Sequence, residues 1–143
     1  MATNWSNRAK LEMLKATVDL DTDVVKGILM ASGYSFNPAT HEKYADVSAS
    51  EHATASGYTA GGNTLAGIAL SQDDTNAMGI AAWNNTSWTA SGGNITAAGM
   101  IIFDDTTTVP ADLILGYIDF GSDQTVLDGG TFTVANIKFR IKG

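Results

Sequence analysis

The chain has 143 residues, enough for one domain with its own core, and its charged fraction of 16% is low beside the roughly 25% usual in soluble domains. Fifteen acids against eight bases give a net charge of −7, which argues against a broad nucleic-acid-binding surface, and the lack of cysteine removes disulfides and thiolate metal sites. No apolar run approaches the ~20 residues of a membrane span and the N-terminus has no uninterrupted apolar h-region, so a cytoplasmic origin without membrane contact is expected.

Fifteen glycines, Ser/Thr/Asn-rich joints between short apolar runs, and few Glu, Lys or Arg after residue 43 predict mostly strand. In chain order, residues 5–16 predict a helix, because Trp5, Ala9, Met13 and Ala16 recur at helical spacing with Leu14 beside them and Ser6 placed to cap. Residues 23–32 carry the β-branched run of a buried strand, with Gly27 marking a bulge or a close backbone neighbour. Residues 35–47, with Pro38 after Asn37, read as a structured loop with room for a short helical turn.

The stretch 55–64, ASGYTAGGNT, has the glycines of a phosphate-cradling loop, yet it precedes a strand and lacks GxxxxGK[ST] or GxGxxG spacing. A wide turn needing positive φ at its glycines is the expectation. Residues 63–71 and 76–84 predict a hairpin turning at Asp73 and Asp74. Residues 98–105 and 111–121 are apolar in both phases, which predicts strands covered on both faces, joined by DTTTVP as a central hairpin. The last strand, 131–142, changes phase between Phe132/Val134 and Ile137/Phe139/Ile141, so a β-bulge near Ala135 and Asn136 is expected. The whole predicts a mainly β, single-domain chain over residues 1–143: an antiparallel sandwich or partly closed barrel with a short N-terminal helix.

Groups for chemistry are sparse. His41 and His52, with Glu42 and Glu51 nearby, match no usual zinc spacing. Asp19, Asp21 and Asp23 reproduce three positions of a calcium loop, but Val24 stands where glycine is needed and Met30 where glutamate is needed. Asp73–Asp74 and Asp104–Asp105 resemble paired catalytic acids, although adjacent strand residues point to opposite faces and both pairs precede Thr at apparent turns. They are expected at hairpin corners. Trp83 and Trp88 are expected in core or interface packing, with a sugar-stacking platform as the alternative. No catalytic, cofactor or metal residues are assigned.

Charge placement is uneven: residues 44–137 carry ten acids and no base. In the last strand Lys138, Arg140 and Lys142 alternate and so share one face. That face either guards an edge against aggregation or docks on an acidic partner.

The segments NWSNRAKLEMLKATVDLDTD, GYTAGGNTLAG, QDDTNA, SWTASGG, IIFDDT and GYIDFGSDQTVLDGGTFTV occur in one chain and in this order. Together they resemble a family of small virion structural proteins of tailed bacteriophages; the apolar NAMGIAAW is a departure, since relatives carry more charge there. The resemblance implies a non-enzymatic, many-copy part. It would be made in the host bacterial cytoplasm and assembled on the capsid exterior as a head decoration, or cement, protein, as a homotrimer bound to the major capsid protein. Trp5, Arg8, Lys138, Arg140 and Lys142 are the expected contacts. A tail or connector component and a carbohydrate-binding sandwich module using Trp83 or Trp88 are the alternatives.

Overall fold

The computed structural model describes residues 2–142. Its centre is the hairpin of β7 (Ile95–Thr108) and β8 (Ala111–Val126), the two runs that are apolar in both phases. They are longer than the sequence pattern indicates, because their polar outer ends continue the ladder. The large sheet has five strands in the order β1–β8–β7–β2–β3, with β1 Ala2–Trp5, β2 Val25–Met30 and β3 Asn63–Thr64. Pairing is antiparallel throughout.

The double apolar phase has its expected consequence. On one face of the large sheet Val25, Leu29, Met100, Ile102, Leu113 and Leu115 join a core with side chains of two smaller sheets. On the other, Ile28, Met30, Ile101, Phe103, Ile114 and Tyr117 are covered by Tyr34, Phe36, Tyr44 and Val47. The loop 34–47, ending in the helical turn α2 (Tyr44–Val47), is thus a lid on the second core. Burying both faces explains why neither strand alternates.

The small sheet is β10–β5–β4, from β4 (Ala69–Asp73), β5 (Met78–Trp83) and β10 (Ile137–Lys142); a two-stranded ribbon joins β6 (Thr86–Thr89) to β9 (Thr131–Val134). The chain is therefore mainly β, with antiparallel sheets packed as a sandwich and one short N-terminal helix, α1 (Asn7–Leu14). No described helix is long and apolar enough to cross a membrane.

Several boundaries differ from the sequence expectation. Ser6 does cap α1, accepting the Ala9 N–H at 2.9 Å, but Trp5 lies in β1, and the helical stripe reduces to Ala9 and a half-buried Met13. Leu14 is 87% exposed, and Ala16 lies beyond the helix at φ 58°. Glu12 is buried instead, held by Arg8 at 2.8 Å and Lys15 at 3.3 Å. Burial opposes its ionisation, but hydrogen bonds from Arg8, Thr17 and Lys15 prevail and hold its carboxyl below the usual range.

The expected strand 63–71 is two strands, β3 and β4, in different sheets. The short β6 has only Thr86 and Trp88 facing inward and lies among turn-forming residues, too weak a pattern to signal a strand. The phase change at 135–136 is real but is not a bulge within one strand. Asn136 adopts φ 54°, and the chain leaves the ribbon after β9 to enter the small sheet as β10. Asn tolerates this left-handed geometry better than most residues.

Candidate docking face

The register of β10 on β5 and β4 sets three rows across the small sheet: Lys138–Ala82–Ala69, Arg140–Ile80–Ser71 and Lys142–Met78–Asp73. Residues directly opposite in antiparallel strands share a face. One face of this sheet therefore carries a stripe of three cations beside an apolar stripe of Ala82, Ile80 and Met78, all outside the buried core. The intervening residues Ile137, Phe139, Ala81 and Trp83 point inward and are buried. Among the described residues, ion pairs engage Arg8, Lys15 and Lys26, and none engages Lys138, Arg140 or Lys142.

Trp5 packs against β10 from the opposite face, the one that carries Phe139 and Ile141. Its indole Nε1 donates to the Arg140 carbonyl at 2.9 Å and its ring centroid lies 4.6 Å from that of Phe139. With Met13, Leu14 and Ile141 it lines a shallow apolar groove rimmed by Lys10, Arg140 and Lys142. Ile141 is 55% exposed there, past the end of the core that covers Phe139. The structure thus brings Trp5, Arg140 and Lys142 together, with Lys138 along the same strand. Arg8 is engaged elsewhere: its Nε holds Glu12, and its Nη1 lies 3.6 Å from Glu42.

The other sequence candidates have structural roles. In the glycine-rich stretch Gly57, Gly61 and Gly62 have φ of 88°, 96° and 64°, and the Gly61 N–H already donates to Glu51 Oε1 at 2.8 Å. It is a turn closed by a carboxylate. That same Glu51, which the sequence offers only as a neighbour of His52, also accepts the hydroxyls of Tyr44 and Tyr58. His41 Nδ1 accepts the Asn37 N–H at 3.1 Å, and His52 Nδ1 contacts the Ala53 carbonyl at 2.8 Å.

The acidic turn caps itself, with Asp19 N–H donating to Asp23 Oδ2 at 2.8 Å and Asp21 N–H to Asp19 Oδ1 at 3.2 Å. Among the described residues no group of three or more His, Asp or Glu is placed to hold a metal ion. Trp83 packs edge-on against Phe139 and Trp88 against Tyr58, both buried, so neither offers a ring face to a sugar.

Asp73 is the hairpin corner expected of it. Its Oδ1 accepts the N–H groups of Thr75 and Asn76 at 3.1 and 3.0 Å, and bonds from Asn76 foremost hold its carboxyl below the usual range. Asp104 is not a corner. It lies within β7, wholly buried, and burial foremost, with the Asp23 carboxylate adding to it, pushes its carboxyl up to about 7. Asp105 points the other way, to Lys26 Nζ at 3.1 Å.

Comparison of the chain with protein-family models, with curated proteins and with solved structures finds no match.

Proposed function

We propose that this chain is a non-enzymatic virion structural protein of a tailed bacteriophage, a head decoration protein that binds the outside of the capsid lattice and stabilises it. The observation that carries the reading is the small-sheet face, where three cations with no ion-pair partner among the described residues run beside the half-buried Ala82, Ile80 and Met78. Such a face suits an acidic, partly apolar protein surface, for which the major capsid protein is the proposed partner. Apolar contact supplies affinity and the cations supply register and encounter rate. Repeated over many copies, interfaces of modest area resist the outward pressure of packaged DNA. Assembly as a homotrimer belongs to the same reading.

Particles assembled with and without the protein test it. The expected result is hundreds of copies per head and a loss of resistance to heat and low salt when the protein is missing. Equal resistance of the two particles overturns the cement role. A dozen copies or fewer per particle assigns the chain to the tail or connector instead.

A further inference from the structure

Strand alternation places Asp104 on the same face of β7 as Met100 and Ile102, the face that meets the smaller sheets. Its side chain is 0% exposed. Oδ1 accepts the Thr106 N–H at 2.9 Å, but Oδ2 has no hydrogen-bond partner among the described residues. The group lying against this carboxyl is the carboxylate of Asp23, at the end of the acidic turn that leads into β2. Two ionised carboxylates have only acceptors to offer one another.

No base intervenes. The cross-strand neighbours of Asp104 are Val25 on β2 and Leu113 on β8, both apolar. Lys26 on β2 is turned to Asp105 Oδ2. Asp112 on β8 bears on Tyr44, and Lys43, before α2, meets Leu113 through its backbone. Thr107 Oγ1 donates to the main-chain oxygen of Asp104 and accepts the Leu113 N–H. Asp23 is thus the charged group acting on Asp104.

We propose that Asp23 and Asp104 hold one proton between them, carried on Asp104 Oδ2 and donated to the Asp23 carboxylate, so that the pair clamps the acidic turn onto β7. As pH rises the proton passes to water, two carboxylates face one another, and the clamp opens. The bonds released first are those continuing the β2–β7 contact past the pair: Asp105 N–H to the Val24 carbonyl at 2.8 Å and Val24 N–H to Thr106 Oγ1 at 2.7 Å. A carboxyl raised above its unfolded value stabilises the fold fully below about pH 4, and that stabilisation is lost as pH rises through about 7. The device lies at the β2–β7 corner and does not depend on the docking reading.

The test is a carboxyl-carbon NMR titration of the wild-type chain, Asp104→Asn and Asp23→Asn, with melting temperatures over the same pH range. In the wild type the Asp104 signal is expected to titrate far above ordinary aspartate, and the melting temperature to fall between about pH 4 and about pH 8. Asp104→Asn places a permanent amide donor against Asp23 and is expected to lose that fall. Asp23→Asn supplies the donor from the other side, returns the Asp104 midpoint towards the ordinary range, and serves as the readout if the first variant does not fold. Loss of protection at the Val24 and Asp105 amides above neutrality, measured against the base-catalysed intrinsic exchange rate and absent in Asp104→Asn, is the expected sign of opening. An Asp104 midpoint near 4 in the wild type overturns the proposal, as do equal pH slopes in wild type and Asp104→Asn. So does calcium raising the wild-type melting temperature at alkaline pH and not that of Asp104→Asn, since a cation would then occupy the pair.

Discussion

The indole of Trp5 donates to the main-chain carbonyl of Arg140 at 2.9 Å, joining residues 135 apart in the chain. Trp5 ends β1, an edge of the large sheet, and Arg140 lies in β10, an edge of the small one. The contact closes one side of the sandwich and anchors the strand that carries the cation stripe. Trp5 therefore supports the candidate docking face from behind.

Trp5→Phe keeps a ring against Phe139 and removes the N–H donor, so it is expected to cost about 1 kcal/mol. Trp5→Ala also removes the ring contact and is expected to cost about 2–4 kcal/mol. Denaturant titration at neutral pH measures both.

Replacing Lys138, Arg140 and Lys142 together by Ser is expected to change folding stability by less than about 1 kcal/mol, because none of the three is ion-paired among the described residues. The same variant is expected to lose binding to capsids, and wild-type binding to weaken with added salt. Co-sedimentation with particles lacking the protein reads both effects.

The Tyr58 hydroxyl donates to Glu51 Oε1 at 2.6 Å and accepts the Leu29 N–H at 3.1 Å. Tyr58→Phe leaves both buried groups short of a partner, and a loss of about 2–3 kcal/mol is expected from denaturation curves.

All four tyrosines are held protonated beyond the ordinary range, with burial the leading cause in each; Tyr44, beside Glu51, is pushed up to about 12. A raised phenol stabilises the fold fully below its unfolded value, about 10, and that stabilisation fades as pH rises above it. Ultraviolet titration is expected to show little tyrosinate in the native chain near pH ~10, with the signal appearing together with unfolding.

Two neighbouring glycines are expected to respond differently to alanine. A Cβ on Gly62 would stand 1.9 Å from the Gly27 carbonyl oxygen at a φ of 64°, and Gly62→Ala is expected to cost above about 2 kcal/mol. Gly61, at φ 96°, has nothing among the described residues within 4 Å of the same position, so Gly61→Ala is expected to cost about 1 kcal/mol. Thermal melts of the two variants compare them directly.

Features set by local chemistry were legible in the chain itself. Two runs apolar in both phases meant strands buried on both faces, since only burial rewards an unbroken apolar run, and β7 and β8 are the middle of the large sheet. Ser6 as a cap, Asp73 as a corner and the phase change before Ile137 depend on nearest neighbours and were equally plain. Period-two alternation likewise placed Lys138, Arg140 and Lys142 on one face.

Tertiary structure alone decided what lies beside each of these features. The phase change became a crossing between sheets because β10 found β5, more than fifty residues earlier, and that register set Ala82, Ile80 and Met78 alongside the cations. Trp5 left the helical pattern because the free edge of β8 takes its backbone as a strand. Asp104 looked like a solvent corner because an acid followed by another acid and threonines is locally a turn. Its burial follows from β7 running on past it, with β2 on one side and β8 on the other. Strand pairing costs loop-closure entropy that only distant contacts repay, so the identity of a strand's partner is not written in its own residues.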